Sequence, residues 1–527
     1  MSYENIGKSF INGERVSSGE KLLESYNASN NKPNGYKFYQ STVAEVDQAV
    51  NSAYNALNDY SSLSLETRAT FLETLGQEIG LLGDDFIEVV CNETGLEQGR
   101  IRGEKQRVIN QLNLFASTVR LGKFLDVRID TGDETRTPLP KPDLRLCKLP
   151  LGVIGVFGAS NFPLAFSTLG GDTVSALAAG CPVVFKAHSG HMATAEIIAS
   201  CIQKVISKLK LPKGTFNMIF GARVGKDLVQ HPLVKGIGFT GSYEGGVSLI
   251  EYANNRKEPI PVFAEMSSIN PIFIFDKKLE NSLDQIADGI FNSVTGSCGQ
   301  LCTKPGVIIG IKGPLFDKLK DKLTEQTKLG KSNVLLNNST LSSFNRSLDN
   351  AIITQGITVL SSSNTDDLNK AQTTLLSANK DLLIKDSDIL EKEIFGPATI
   401  LIEVDNTHEM RLGLSKLAGQ LTVSFFGEEE ELIKNNELIN FATEKAGRIL
   451  INNFPTGVEV SHSIVHGGPF PATSDPRGTS VGSLSIDRFL KPVCFQNFPE
   501  SLLPNFVRNN NLENIPRLIN GKYEPEG

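Results

Sequence analysis

The 527-residue chain has no tryptophan, only six histidines, and no run of about eighteen apolar residues. The first absence excludes a pocket walled by indole rings. The last leaves no segment that reads as a membrane-spanning helix. The opening residues, MSYENIGKSFINGE, hold neither a basic nor an apolar block, so no signal peptide is expected. The histidines form no HxxxH or HExxH pattern, and His188 and His191 stand three apart without a carboxylate pattern. Cys298 and Cys302 make the one close cysteine pair, and without a second pair or histidines at ligand spacing no metal is expected. The seven cysteines are scattered and odd in number, which suits a reducing cytoplasm better than a disulfide framework. Positive charge is not in excess either: 52 Lys and Arg against 59 Asp and Glu give a net charge of -7. Neither nucleic acid nor an anionic membrane is favoured as a partner.

What is present is alternation. Ser9-Phe10-Ile11 reads as a short strand closed by an Asn12-Gly13 turn. Thr42 and Glu45 form a capping box ahead of apolar residues at helical spacing, Val46, Ala49, Val50 and Ala53. Two or three more amphipathic helices extend to about Phe124, with Arg107 and Gln111 one turn apart. They face either a pocket or solvent. Residues 126–148 are charged and then Pro-rich, an edge strand or a projecting arm. From Leu151 strands and helices alternate: 151–157, the helix 173–179, 181–186, the helix 194–209, 216–220, 236–240. After Pro261 a second alternation runs 272–275, helix 281–294, 307–311, helix 314–328, then 399–404, 422–426 and 448–452. Both imply an α/β fold with doubly wound parallel sheets. The chain divides into 1–126 with 149–262, then 263–470, with 127–148 and 471–527 as an arm and tail. A polar tail runs from Asn520 to Gly527.

The chemistry centres on Phe291 to Gly306, FNSVTGSCGQLCTKPG, where a helix feeds a Gly/Ser/Thr-rich loop ending near Cys302. A thiol there can be held rigidly and still be reached. Cys298 reads as a packing residue. Asn161, in Ser160-Asn161-Phe162-Pro163 between a strand and a helix, is either an oxyanion donor or a turn cap. Glu265 lies in the apolar Phe263-Ala264-Glu265-Met266, either as a general base or satisfied by backbone amides. Phe239-Thr240-Gly241-Ser242 would open a helix whose amides face an anion. Lys186 ends a parallel strand, followed by His188 and Ser189, and Arg223 follows the next strand. Two cations and no acidic residue there favour a 2′-phosphate, hence NADP over NAD.

In this order the motifs resemble the aldehyde dehydrogenase superfamily, over about Phe10 to Phe498. The resemblance implies an aldehyde-dehydrogenase-like α/β fold with a cofactor-binding domain, a catalytic domain and an oligomerisation arm. It implies Cys302 as nucleophile, Asn161 as oxyanion donor and Glu265 as the base for thioester hydrolysis. Lys186, His188, Ser189, Arg223, Gly241 and Ser242 would hold the cofactor, with Glu393 on the nicotinamide ribose and Phe395 against the nicotinamide. Within the family, Lys186-Ala187-His188-Ser189, Glu258 to Val262, Glu265 to Pro271, His466-Gly467-Gly468-Pro469 and Pro492 to Gln496 resemble the α-ketoglutaric semialdehyde (2,5-dioxopentanoate) dehydrogenases. Ser267 and Ser268 stand where the superfamily has two glycines. The implied reaction is NAD(P)-dependent oxidation of that semialdehyde to 2-oxoglutarate by a homodimer or homotetramer. An NADP-dependent medium- or long-chain fatty aldehyde dehydrogenase is the alternative. A cysteine hydrolase would need a histidine on Cys302, and no histidine motif suggests one.

Overall fold

In the computed structural model, residues 6–365, 367, 369–385 and 388–524 are described. The centre of the first sheet is Val153–Phe157, buried along its whole length. A strand covered on both faces must be apolar throughout, as this one is. Val183–Lys186 pairs parallel to it on one side and Val234–Thr240 on the other. Phe216–Ile219 and Val262–Glu265 extend the sheet outward, both parallel. Ser9–Ile11 and Glu14–Val16 close the far edge as an antiparallel hairpin. The chain thus winds one way from Val153–Phe157 and then returns to its other side. Ligands of open α/β sheets bind at such a reversal, outside the carboxyl ends of the strands. The segments leaving those ends are the Asn161 loop, the turn after Thr240 and the stretch after Lys186.

The second sheet has the order Ile357–Ser362, Thr374–Ala378, Ala398–Val404, Val307–Ile311, Ile272–Ile274, Gln420–Phe426, Ala446–Ile451. All its pairs are parallel except the antiparallel edge Ile357–Ser362. Four helices precede the first sheet's central strand: Val43–Ser61, Leu65–Gly80, Asp84–Thr94 and Gln98–Leu121. The first starts on the capping box, with Thr42 N–H donating to Glu45 Oε2 at 2.7 Å and Glu45 N–H to Thr42 Oγ1 at 3.2 Å.

A third, five-stranded sheet joins Val127–Asp130, Leu144–Pro150 and Leu490–Gln496 with the terminal hairpin Arg517–Ile519 and Lys522–Tyr523. The Pro-rich residues 137–142 are not a strand here. They form part of the connection between two strands, and residues 131–140 are exposed. Proline lacks the N–H that a ladder needs, so the strands lie on either side of it. The polar tail, as far as Glu524, folds back on Val127–Asp130; its last three residues lie outside the described residues. Residues 1–40 hold more strand than their composition suggests. Leu22–Asn27 and Lys32–Tyr39 form a hairpin paired with Ile6–Gly7. Its outer positions face solvent, which is why polar residues, Pro33 and Gly35 are tolerated there.

Candidate active site

The helix Asp276–Thr295 runs into a loop whose backbone is left-handed at three successive residues, Ser297, Cys298 and Gly299, with φ of 50°, 54° and 67°. A non-glycine residue in that region costs about 1–2 kcal/mol, so this turn is held by its surroundings. A Cβ on Gly299 would overlap the Gly396 carbonyl. The Cys302 loop therefore packs backbone to backbone against the segment that carries Glu393 and Phe395. Gln300 fixes the turn further: its Nε2 donates to Ser297 O at 3.0 Å and its Oε1 accepts from Leu336 N–H at 2.8 Å. Asn270 Nδ2 donates to the carbonyls of Cys302 and Lys304, at 2.9 and 3.0 Å.

These contacts present the half-buried Cys302 to two other segments. His466 Nε2 lies 3.3 Å from Cys302 Sγ and 3.3 Å from Glu265 Oε2. Glu265 ends the edge strand Val262–Glu265 and is 3% exposed; His466 is 1% exposed. Glu265 Oε2 has no hydrogen-bond partner of good geometry among the described residues. No motif in the chain points to a histidine on Cys302, yet one stands there. His466 arrives from 164 residues away, beyond the reach of any local spacing. Phe166 packs on it with ring centroids 6.0 Å apart. Burial pushes the Cys302 thiol well up from its ordinary range, and the charges of Glu265 and Glu393 push the same way. Arg448 and Arg107 oppose them.

Asn161 is brought to the same place. Its Nδ2 donates to Gln300 O at 3.1 Å, two residues before Cys302. Its loop is shaped by a buried carboxylate that sequence reasoning missed. Glu104 accepts from the N–H groups of Leu164 and Ala165 at 2.9 and 2.8 Å and pairs with Arg100. Arg100 in turn lies 4.4 Å over the Phe162 ring and donates to Ser297 Oγ at 3.1 Å. Cys298 is buried among the core residues of the second sheet.

The charge of Glu393 also reaches Cys302. Ser267 and the Ser268 backbone hydrogen-bond its carboxyl, so the two serines that replace glycines form a link rather than an open turn. Glu393 Oε1 is nevertheless buried without a partner among the described residues. Burial raises its pKa to about 7, against the pull of Lys304. Lys304, also missed, is 1% exposed and donates to Ile394 O and Ala398 O at 3.1 and 2.7 Å. Burial lowers it to about 8. Phe395 is half-buried beside them.

The remaining candidates sit at the sheet reversal. The Lys186 ammonium makes no hydrogen bond among the described residues; its Nζ stands 5.8 Å over the Phe157 ring. Burial lowers it to about 8. His188 stacks on His191, with centroids 5.3 Å apart, and burial together with that neighbour and Lys186 drives its pKa well down. Ser189 and Arg223 are exposed. Gly241 and Ser242 are exposed too, and Ser242 Oγ accepts from Gly245 N–H at 3.2 Å, capping the helix Tyr243–Asn254. An ammonium without a hydrogen-bonded partner stands at the sheet reversal, and an orphaned carboxylate oxygen belongs to Glu393, whose charge acts on the thiol. That set fits a dinucleotide with ribose hydroxyls to bind.

Two arginines face the thiol from different segments. Arg107, half-buried on the helix Gln98–Leu121, donates through Nη1 to Val458 O, and its Nε is buried and unpartnered. Arg448, on Ala446–Ile451, donates to Gly457 O at 2.9 Å and Pro455 O at 2.5 Å. Gln111, one turn from Arg107, is 3% exposed, so this helix face is packed rather than solvated.

The profile of the aldehyde dehydrogenase family matches residues 15–468. The chain belongs to the aldehyde dehydrogenase family. It is 50% identical over 519 residues to the α-ketoglutaric semialdehyde dehydrogenase of Acinetobacter baylyi, covering 98% of this chain and 99% of that one. It is 40% identical to α-ketoglutaric semialdehyde dehydrogenase 2 of Azospirillum brasilense, with coverage of 98% and 99%. Among solved structures, the betaine aldehyde dehydrogenase of Staphylococcus aureus in complex with NAD+ superposes with a TM-score of 0.79. That match has 21% identity and covers 93% of this chain and 96% of the other. The fold is accordingly that of the family.

Proposed function

We propose that this aldehyde dehydrogenase oxidises α-ketoglutaric semialdehyde to 2-oxoglutarate. The reading is carried by Arg107. A semialdehyde has a carboxylate at the end remote from its reacting carbon, and a fixed guanidinium with unspent donors near the nucleophile suits it. The name carried by both full-length relatives agrees with that chemistry.

Cys302 attacks the aldehyde carbon as the thiolate. His466 Nε2, 3.3 Å from the sulfur, takes the thiol proton. The oxyanion of the tetrahedral adduct takes hydrogen bonds from Asn161 Nδ2 and the Cys302 N–H. A bound nicotinamide dinucleotide supplies the hydride acceptor. Lys186 and Glu393 would hold its ribose hydroxyls, with Gly241 and Ser242 at its phosphates, and Phe395 would pack on the ring. The thioester left on Sγ is opened by water that Glu265 activates. Lys186 and Arg223, two cations after adjacent strands of the first sheet, favour NADP while leaving NAD usable.

Assembly follows from the five-stranded sheet, whose edge strand Leu490–Gln496 pairs on one side only among the described residues. Such an edge is a template for a second copy, as a dimer or a dimer of dimers. Seven free thiols suit a reducing cytoplasm.

The test is a panel of 2,5-dioxopentanoate, succinic semialdehyde, glutaraldehyde and hexanal with both cofactors, following growth of the reduced nicotinamide. The highest kcat/KM is expected for 2,5-dioxopentanoate. A clear preference for hexanal overturns the assignment and returns the fatty aldehyde alternative.

A further inference from the structure

Cys302, His466 and Glu265 offer a sulfur, a nitrogen and an oxygen that all lie within 4.8 Å of one another. No two of them come from one local motif, so no ligand spacing exists in the sequence. Zinc binds thiolate at about 2.3 Å, imidazole at about 2.0–2.1 Å and carboxylate at about 2.0–2.2 Å, in tetrahedral geometry. Those bond lengths place neighbouring sulfur and nitrogen about 3.6 Å apart, and nitrogen and oxygen about 3.4 Å apart. The separations here are 3.3 and 3.3 Å. The donor that must be free is free: Glu265 Oε2 is deeply buried and unpartnered among the described residues.

We propose that these three side chains form a reversible zinc site that switches the enzyme off. The donor set selects the metal. A thiolate with an imidazole suits a borderline-soft ion, whereas magnesium and calcium prefer all-oxygen cages. On binding, the Zn–S bond forms as the S–H proton leaves to bulk water, and His466 uses the lone pair of Nε2. Three protein donors leave the fourth position to water, the pattern of an open zinc centre. The ion takes the nucleophile and the water-activating carboxylate at once, so inhibition is competitive with the aldehyde. It is relieved by a chelator without any change in the thiol's oxidation state.

The test uses the full-length enzyme without aldehyde. Zinc is titrated against a chromophoric chelator, and iodoacetamide alkylation of Cys302 is followed in parallel. One zinc per chain is expected, with alkylation suppressed and then restored by excess chelator. Cobalt in place of zinc should give a thiolate-to-metal absorption band that Cys302→Ser abolishes. His466→Asn should weaken zinc binding by about tenfold or more, as loss of one of three donors requires. Glu265→Gln is the second variant should the first not fold. The proposal is overturned if Cys302→Ser still takes up one zinc with the wild-type affinity. It is equally overturned if a folded His466→Asn or Glu265→Gln protein binds as tightly as wild type. These readouts need no turnover, so they stand apart from the identity of the substrate.

Discussion

Replacing Arg107 by methionine separates recognition of a substrate carboxylate from every other property of the site. A guanidinium has five N–H donors. Arg107 commits Nη1 to Val458 O, its Nε is buried without a partner, and no hydrogen bond occupies Nη2 among the described residues. Arg448 commits both Nη groups, to Gly457 and Pro455, and shares with Arg107 only the unpartnered Nε. The two arginines should therefore differ: Arg107 has donors left for a two-pronged contact with a carboxylate, while Arg448 mainly shapes the loop. A hydrogen bond to a charged group is worth about 1.5–3 kcal/mol. Taking roughly 2–3 kcal/mol for a half-buried guanidinium, Arg107→Met should lower kcat/KM for 2,5-dioxopentanoate by a factor of roughly 30–150. Most of it should appear in KM, since the contact exists before and after the chemical step. Hexanal, with no carboxylate, should change by no more than about threefold. Arg448→Met should instead impair both substrates, because the loop it frames borders the thiol for either. The assay is initial-rate formation of reduced nicotinamide over a range of each aldehyde. Equal losses for hexanal and the semialdehyde in Arg107→Met would refute the carboxylate assignment and make Arg107 a structural tie to Val458.

Gly299→Ala should lower both the thermal midpoint and kcat, because the left-handed turn is penalised and the new Cβ meets the Gly396 carbonyl. A loss of about 1–3 kcal/mol is expected, and unchanged melting with full activity would contradict the packing described. Asn161→Ala should reduce kcat by about 10²–10³ with little change in KM, the signature of a missing oxyanion donor; a kcat within about threefold of wild type would leave Asn161 as a turn cap. Burial lowers Lys186 to about 8 from 10.5, so its ammonium is complete only below that pH. The dissociation constant for reduced nicotinamide dinucleotide should be flat below about pH 8 and rise up to about tenfold per unit above it. By the same shift, the unfolded chain binds more protons than the folded one between about 8 and 10.5, and this residue adds stability as pH rises there. Lys186→Gln should bind weakly at every pH, and a surviving slope in that variant would assign the titration elsewhere.

The residues legible in the sequence are those whose identity the local backbone forces. Gly299 is written in the chain because no side chain fits against Gly396, and Ser242 because a helix start needs a cap. The parallel strands were legible for a similar reason, since burial on both faces leaves only apolar choices, as in Val153–Phe157. The strand Ile357–Ser362 and the helix Asn338–Ile352 were not, because each has one wet face and a Ser- and Asn-rich composition that suits a loop equally well. Glu104, Lys304 and Arg448 were hidden differently. Each is an ordinary charged residue in its own segment, and only the tertiary approach of distant backbone groups gives it partners.

His466 shows what that blindness costs a functional reading. A cysteine hydrolase was disfavoured because no histidine motif accompanied Cys302, yet a cysteine, a histidine and a carboxylate do meet here. Their meeting leaves the dehydrogenase reading intact, because oxidation through a thioester ends in a hydrolysis. The second half of the proposed reaction is thioester cleavage, and it needs a base and water beside the acylated sulfur, as a hydrolase does. What sets this site apart from a hydrolase is a different pair of groups. A hydrolase has no use for an orphaned carboxylate oxygen at Glu393 or for the unpaired ammonium of Lys186 at the sheet reversal. Buried polar groups left without partners destabilise a fold by about 1–3 kcal/mol each. The unpartnered carboxylate oxygen of Glu393 and the ammonium of Lys186 at the sheet reversal are best explained by one ligand that satisfies both, and a dinucleotide spanning the crevice would do so.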